Sequence, residues 1–538
     1  MLKHSLLSDG LFHVTGADGS VACLSLPQTL ARLSAGEDLG FSALRPHQRP
    51  AWHAFLVQLA FLALEGQDEP ALPTTPGAWA QQLRGLTPGY DDDAPWCLVN
   101  SNWQSPAFLQ APCSAAHEAD FKESETSVQA YDILDTARNH DEKTEKLPLL
   151  RDSLDVAVYG LVSLQGWAAY GGRNLYQTMR MNGGVSSRPQ FRLVFSRGAG
   201  EEFKRDLNVL LERRDELIDK AKDAAIGTGT DDPHRLLWLV EWNSGSIPVA
   251  NVHPLCLEVS RRVRMIEKPG GLTLRRAGSD AVRIDAASYA GCVLDPWVPI
   301  VQGDPPKSLT AQVDTLGFRR LRQLLFDPTH TRLPLLARMS ESERLRNESA
   351  VLLAQVVVRV KRGTEGLQRR EIAVPARVLA RWNSDETILA QRSESFAVIA
   401  SQAAGDIYAG ALMRYVGNDD KPSWKNRDFT RAVEPWSARF EQAVDEIFFS
   451  TLFHTLENQL DDTQAQRLWV LTLQPMAQRL LHEATESLPT RDKSRWFAQV
   501  RAERFMRLAW HKQFGALLAL PQPPDAVPAP TDQEPAHE

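Results

Sequence analysis

The sequence predicts an α+β protein, a large mixed N-terminal domain followed by a C-terminal four-helix bundle. Three observations carry that expectation. Up to about residue 385, short β-rich runs around Gly and Asp turns alternate with helical stretches. From about 387 the pattern settles into four long helical stretches with polar links at 417–430, 458–463 and 488–492. Amphipathic helices joined by such short links pack antiparallel. The last residues, PQPPDAVPAPTDQEPAHE, are proline-rich and acidic, the composition of a disordered tail. The expected divisions are therefore 1–385, 386–520 and 521–538.

In chain order, FHVT and SVACLSL flank the turn Gly16-Ala17-Asp18-Gly19, and LPQTLARLSAG then begins a helix. A strong helix follows Pro50, with Trp52, Phe55, Leu56, Leu59, Phe61 and Leu62 apolar nearly all round, as in a buried helix. Residues 67–105 are rich in Pro, Gly, Asp and Asn and read as loops, and 111–150 is polar and of mixed charge. DVAVYGLVSLQGWAAYGG reads as buried helix or strand, and a charged helix runs from Glu201 to about Ala225. LLWLVEW, LCLEVSRRVRMI and LTLRR are strand-like, and 350–378 has the pattern of a hairpin about a glycine-bearing tip. In the bundle, the clearest pattern, from Pro435 to Leu460, sets Phe440, Val444, Ile447, Phe448 and Leu452 on one face. Pro475 should kink the third helix.

Bulk properties limit the function classes. A chain of 538 residues implies two or three structural units. The formal net charge of -7 excludes a globally basic binder, so any nucleic-acid site must be a local patch. Cys23, Cys97, Cys113, Cys256 and Cys292 stand far apart, with no C-x-x-C pair. That argues against a disulfide framework or a four-cysteine zinc site and suits a reducing compartment. The opening MLKHSLLSDG lacks a basic-then-apolar signal layout. Ala51–Leu64 is interrupted by His53 and Gln58 and is too short to span a bilayer, so the cytoplasm is the expected location and no membrane partner is expected.

Phosphate-loop, zinc-protease, nucleophile-elbow and dinucleotide fingerprints are absent from the sequence. The histidines are scattered; His253 with Cys256 offers two ligands and reads as core, and Asp91, Asp92 and Asp93 read as a solvated acidic turn. No catalytic residue, cofactor or metal is therefore expected. Four features could instead contact nucleic acid. Arg138, Asn139, His140 and Lys143 lie in the polar segment, where a loop can deliver them into a groove. Arg173, Asn174, Arg180 and Arg188 accompany glycines that let backbone N–H groups approach a phosphate. Arg261, Arg262, Arg264, Lys268, Arg275 and Arg276 face a lone Glu267, a basic stripe on an acidic chain. Lys361, Arg362, Gly363 and Thr364 form a hairpin tip that could wedge between base pairs. For each, the plain alternative is a solvated charged loop or strand face.

The order of these parts resembles the large-subunit (CasA) family of the type I-E CRISPR surveillance complex, Cascade. Leu6-Leu7-Ser8-Asp9-Gly10-Leu11-Phe12 is similar to that family's start, and Pro106-Ala107-Phe108-Leu109-Gln110 looks like its "PFMQ" element. The buried helix at 51–64, the glycine-rich stretch 171–197, the hairpin leading into Leu367-Gln368-Arg369-Arg370-Glu371 and the closing bundle follow in the family's order. The resemblance implies a non-enzymatic subunit that recognises the short motif beside the target (the PAM), mainly from the minor groove. It also implies a hairpin inserted to start strand separation, and recruitment of the helicase-nuclease. The implied partners are the backbone, small and crRNA-end subunits, guide RNA and double-stranded target DNA. The chain departs from the family where 138–153 lacks glycine, where no cysteine cluster stands, and where the wedge glutamine falls near Arg362, Gly363 or Thr364. The residues themselves leave other readings open: a large subunit of another type I subtype, a metal-dependent nuclease or hydrolase, or an assembly scaffold without DNA contact.

Overall fold

The structure, a computed structural model, describes residues 1–68, 70–124, 154–167, 178–183, 185–268, 271–360, 363–382, 386–417, 421, 424–491 and 494–520. It divides into two compact units. The body comprises Met1–Leu316 with Thr329–Ile372, and the helical unit comprises Gly317–Pro328 with Ala373–Glu538. The division falls earlier than 385, and a segment from within the first part joins the second. The reason lies in the helix Phe318–Phe326: the Phe318 N–H donates to Asp445 Oδ1 at 2.5 Å and Arg319 makes a fork to Glu441 at 2.7 Å. Phe318 also packs on Phe448, their ring centroids 4.7 Å apart.

The body is built around the helix Arg49–Leu64. Pro50 occupies its first turn, where a missing N–H costs nothing, and apolar side chains surround it. Helices Leu154–Gly166 and Ala199–Glu212 and the strand Val252–Leu257 pack around it. Each large side chain so covered stabilises the fold by roughly 1.5–3 kcal/mol. The two polar interruptions are both satisfied: His53 Nε2 lies 2.8 Å from Asp206, and Gln58 Nε2 donates to the Leu255 carbonyl at 3.4 Å. At the start of the body, Phe12–Gly16 pairs antiparallel with Val21–Leu24 and Leu39–Phe41. The following helix, Leu26–Ser34, is capped by Ser25 and Gln28 in a reciprocal box.

Three expectations for the body need correction. Residues 67–105 are not all loop. Thr75 caps a helix over Pro76–Gly85 that buries Trp79 and Leu83, and Cys97–Asn100 is a strand paired with Leu2–Ser5. The charged helix at 201–225 is two helices, Ala199–Glu212 and Arg214–Asp223, separated where Arg213 leaves helical backbone angles. LLWLVEW is mostly not strand: a 3₁₀ turn at Leu237–Leu239 follows the short strand His234–Leu236.

The helical unit contains the four expected long helices. The first runs from Glu386 to Gly417 and includes a π-helical stretch, Ala403–Ala409; the others are Arg427–Glu457, Asp462–Ser487 and Arg495–Leu518. The second begins at an Asn426 cap, eight residues before Pro435. Both Pro435 and Pro475 lie within helices that continue past them. Phe396 stacks on Trp469 at 4.9 Å and 5°, and the Trp469 indole donates to the Phe396 carbonyl at 2.9 Å. By length and composition one described helix, Ile388–Gly417, could cross a membrane, but 72% of its apolar window is buried in the protein.

Candidate nucleic-acid interface

Arg138, Asn139, His140, Lys143, Arg173, Asn174, Lys361 and Arg362 lie outside the described residues. Gly363 and Thr364 open the strand Gly363–Val374. The structure does show what these positions are mounted on. The strand Gly363–Val374 pairs with Ala350–Val360, which pairs antiparallel with Gln190–Val194 from Val351↔Val194 to Gln355↔Gln190. Leu352 to Val358 are buried, apart from none, on both faces of that central strand, so the hairpin is rooted in core. Behind the tip, Arg369 and Arg197 both pair with Glu371, at 2.6 and 2.8 Å, and Arg370 donates to the Leu316 carbonyl at 2.6 Å.

The described chain enters segment 125–153 from Lys122–Ser124, the edge strand of a three-stranded antiparallel sheet, and leaves it at the helix Leu154–Gly166. The other strands of that sheet are Arg262–Lys268 and Gly271–Ala277. They carry most of the basic stripe. Residues paired across an antiparallel ladder share a face, so Arg264 and Arg275, directly opposite, point the same way. Two adjacent cations repel. Here Trp103 lies beneath both guanidinium groups, at 5.7 and 6.0 Å, and Arg262 lies 5.1 Å from the Phe121 ring. Trp103 and Phe121 meet edge-on at 5.0 Å.

Burial corrects the reading of the stripe. Arg264 donates to the carbonyls of Asn100, Asn102 and Ser105 at 3.2, 2.6 and 2.8 Å, pinning the 100–105 loop. Burial pulls its proton affinity down to about 10, against the opposing charges of Cys113 and Glu118. Arg262 donates to Gly278 O at 2.7 Å and pairs with Asp120 at 3.3 Å. These two are interior side chains and offer no face to a phosphate. Lys268 and Arg276 are exposed and Arg261 and Arg275 half-buried, so the surface part of the stripe is smaller than its sequence count.

Arg180 and Arg188 are corrected in the same way. Arg180 is ion-paired to Glu258 and donates to the Pro254 carbonyl at 2.7 Å; Arg188 binds Asp295 at 3.0 Å and lies over the Trp167 ring at 4.9 Å. Glu258 also accepts the Met179 N–H at 2.8 Å. A buried guanidinium needs such anions and carbonyls, and here they tie the end of the glycine-bearing stretch to the core.

The Pro106–Gln110 element has a structural role. Gln110 is fully buried; its amide donates to Leu98 O at 2.8 Å and Phe108 O at 3.1 Å, and its oxygen accepts the Met265 N–H at 2.6 Å. Gln165 repeats the device, donating to Leu109 O and accepting the N–H groups of Ser260 and Arg261 at 2.9 and 2.8 Å. Two buried amides thus lock the arginine-bearing sheet to the loop before segment 125–153. Gln165, Trp103 and Phe121 carried no sequence signal, because their partners are distant in the chain.

For metal chemistry, His253 Nε2 lies 3.0 Å from Glu65, and burial pushes the Cys256 thiol up to about 12. Asp93 is held by Arg84 at 2.7 Å. Among the described residues no group of three or more His, Cys, Asp and Glu could hold a metal ion.

No family model matches the sequence, and no curated relative matches it. Solved structures do. The CRISPR-associated protein Cse1 from Acidimicrobium ferrooxidans is 16% identical and aligns over 96% of this chain and 99% of its own, with a TM-score of 0.64. CasA (Cse1) of Thermus thermophilus is 14% identical over 95% and 100%, TM-score 0.63, and Cse1 of Thermobifida fusca is 15% identical over 95% and 98%, TM-score 0.62. From the mixed body to the closing helices, the chain has the fold of the Cse1/CasA proteins.

Proposed function

We propose that this chain is the non-catalytic large subunit of a type I-E CRISPR surveillance complex, a cytoplasmic assembly that finds foreign DNA by pairing it with guide RNA. The observation that carries the reading is the likeness to Cse1 structures over 96% of the chain. In this reading the subunit recognises the PAM in duplex DNA, helps open the duplex for R-loop formation and recruits the helicase-nuclease in antiviral defence. Guide pairing supplies long-sequence specificity, so the protein needs only a short local test and a device to begin strand separation.

Arg138, Asn139, His140 and Lys143 are assigned to reading the PAM, and the tip at Lys361, Arg362, Gly363 and Thr364 to wedging the duplex. Two features support these assignments: the tip is rooted in a sheet with a buried central strand, and the reading segment follows a cross-braced sheet edge. A wedge has to transmit force to the core without bending, and a reading loop needs a fixed base. Arg173, Asn174, Arg261, Lys268, Arg275 and Arg276 remain for the phosphate backbone.

The test is target binding by the reconstituted complex against a randomised PAM library, with and without this chain. Lys361→Ala/Arg362→Ala and Asn139→Ala/Lys143→Ala should each weaken target binding while subunit assembly stays intact. Wild-type binding by both variants across several salt concentrations would overturn the residue assignments. A PAM preference that persists without the chain would overturn the function.

A further inference from the structure

The last bundle helix, Arg495–Leu518, buries one narrow stripe at four-residue steps: Ala498, Ala502, Met506, Trp510 and Phe514. Off that stripe, Trp496 and Phe497 are 64% and 60% exposed, their rings edge-to-face at 5.0 Å. Arg504, Arg507 and Lys512 stand exposed on the same helix, and among the described residues none of them has an ion pair. Glu503 is the helix's single acid. Exposed aromatics beside unneutralised cations do not serve the fold, since both would gain from burial or pairing.

A groove of ≈ 450 Å³ opens between this helix and Asp462–Ser487. Gln474 and Gln478 line one wall, Met506 and Trp510 the floor, and Arg504 and Arg507 the rim. Trp510 is 2% exposed, yet its indole N–H has no hydrogen-bond partner. A buried donor without an acceptor is costly, and this one borders the groove. Each glutamine amide supplies donors and an acceptor, and among the described residues neither is engaged. An apolar floor, a donor at its base, amides on one wall and guanidinium groups at the mouth together fit a flat ring with polar edges attached to an anion.

We infer that the groove takes a base and its phosphate from a single-stranded nucleic acid. The backbone then follows Arg504 and Arg507, and a neighbouring base stacks on Trp496 or Phe497. Duplex DNA keeps its bases paired and stacked, out of reach of the groove. An acidic peptide would satisfy the arginines but leave the ring platform and the amides unused. The inference goes beyond the duplex recognition proposed above and does not rest on it, since every residue involved lies in the helical unit.

The test uses the full chain and fluorescence anisotropy, with three probes of equal length, roughly 12 units, within the site sizes of single-strand binders. These are oligothymidylate, its abasic counterpart and polyglutamate. Oligothymidylate should bind at least about tenfold more tightly than the abasic strand, the scale of one or more stacked bases. Arg504→Ala/Arg507→Ala should weaken both strands and reduce the salt slope by about 1.4, for two phosphates released. Gln474→Ala/Gln478→Ala should weaken oligothymidylate and leave the abasic strand unchanged, and Lys361→Ala/Arg362→Ala should change neither. Equal affinity for the thymidine and abasic strands would overturn the inference, as would wild-type binding by the arginine variant. Polyglutamate binding as tight as oligothymidylate would replace the base site with a plain basic patch.

Discussion

The body and the last helix of the bundle use arginine in opposite ways. In the body, Arg180, Arg188 and Arg264 are at most 4% exposed, and each is held by carboxylates, backbone carbonyls or an aromatic face. On the last helix, Arg504 and Arg507 stand in water without a carboxylate. A guanidinium has five donors in a fixed fork. Enclosed, it ties together whichever chain segments supply its acceptors; exposed, its donors remain for something outside the chain. A cation in a sequence window is therefore no measure of a binding surface until its acceptors are known. The difference predicts large stability effects in the body and small ones on the helix.

The sharpest test of the buried side is Glu258→Ala. It leaves Arg180 enclosed without its closest anion and the Met179 N–H without an acceptor. The expected loss is about 3–5 kcal/mol, read from the urea midpoint of the body. Glu258→Gln, which retains an acceptor for Met179, should lose less. Gln110→Ala comes next. It removes two donated hydrogen bonds and orphans the buried Met265 N–H, for roughly 2–3 kcal/mol. If either change proved neutral, the body's buried polar groups would not be the braces described.

A third test uses pH. Burial pushes the Asp206 carboxyl up, but Arg192, His53 and Arg205 outweigh it and hold the group at about 2. Its folded pKa is therefore below the usual carboxylate value near 3.8. The stabilisation is fully present above that ordinary value and is lost as pH falls toward 2. It amounts to about 2 kcal/mol. Urea unfolding between pH 6 and 2.5 should show a steeper acid loss in the wild type than in Asp206→Asn. Parallel curves would mean that the charge cluster contributes nothing.

Sequence pattern made the bundle legible and the interface much less so. Links expected at 458–463 and 488–492 match helices ending at Glu457 and Ser487 and resuming at Asp462 and Arg495. Helical period and capping residues are local, so they survive in one dimension. The helix at Pro76–Gly85 was legible in principle, since Thr75-Pro76 is a helix start, but the surrounding Pro, Gly and Asp concealed it. The basic stripe misled for a different reason. Alternation along a strand places Arg262 and Arg264 together on one face without saying which face is covered. The side chains that cover it, Trp103 and Phe121, come from another part of the chain. On the last helix the informative signal was where apolar residues fall. Trp496 and Phe497 lie off the stripe of Ala498, Ala502, Met506, Trp510 and Phe514, which marks them as outward-facing once the stripe is known.

The smallest expected effect is the most discriminating one. Arg504→Ala/Arg507→Ala should change stability by less than about 0.5 kcal/mol, because both side chains are solvated and neither holds a carboxylate. Removing two like charges from a helix with a single acid should, if anything, relieve repulsion along it. Thermal melts of the variant would check this. A loss of 2 kcal/mol or more would mean that these arginines brace the bundle as Arg180 braces the body, and the contrast between the two regions would fail. An unchanged melt together with weakened oligonucleotide binding would separate the two uses of one residue type within a single chain. A fold-bearing arginine cannot be lost without unfolding cost, whereas a ligand-bearing one can.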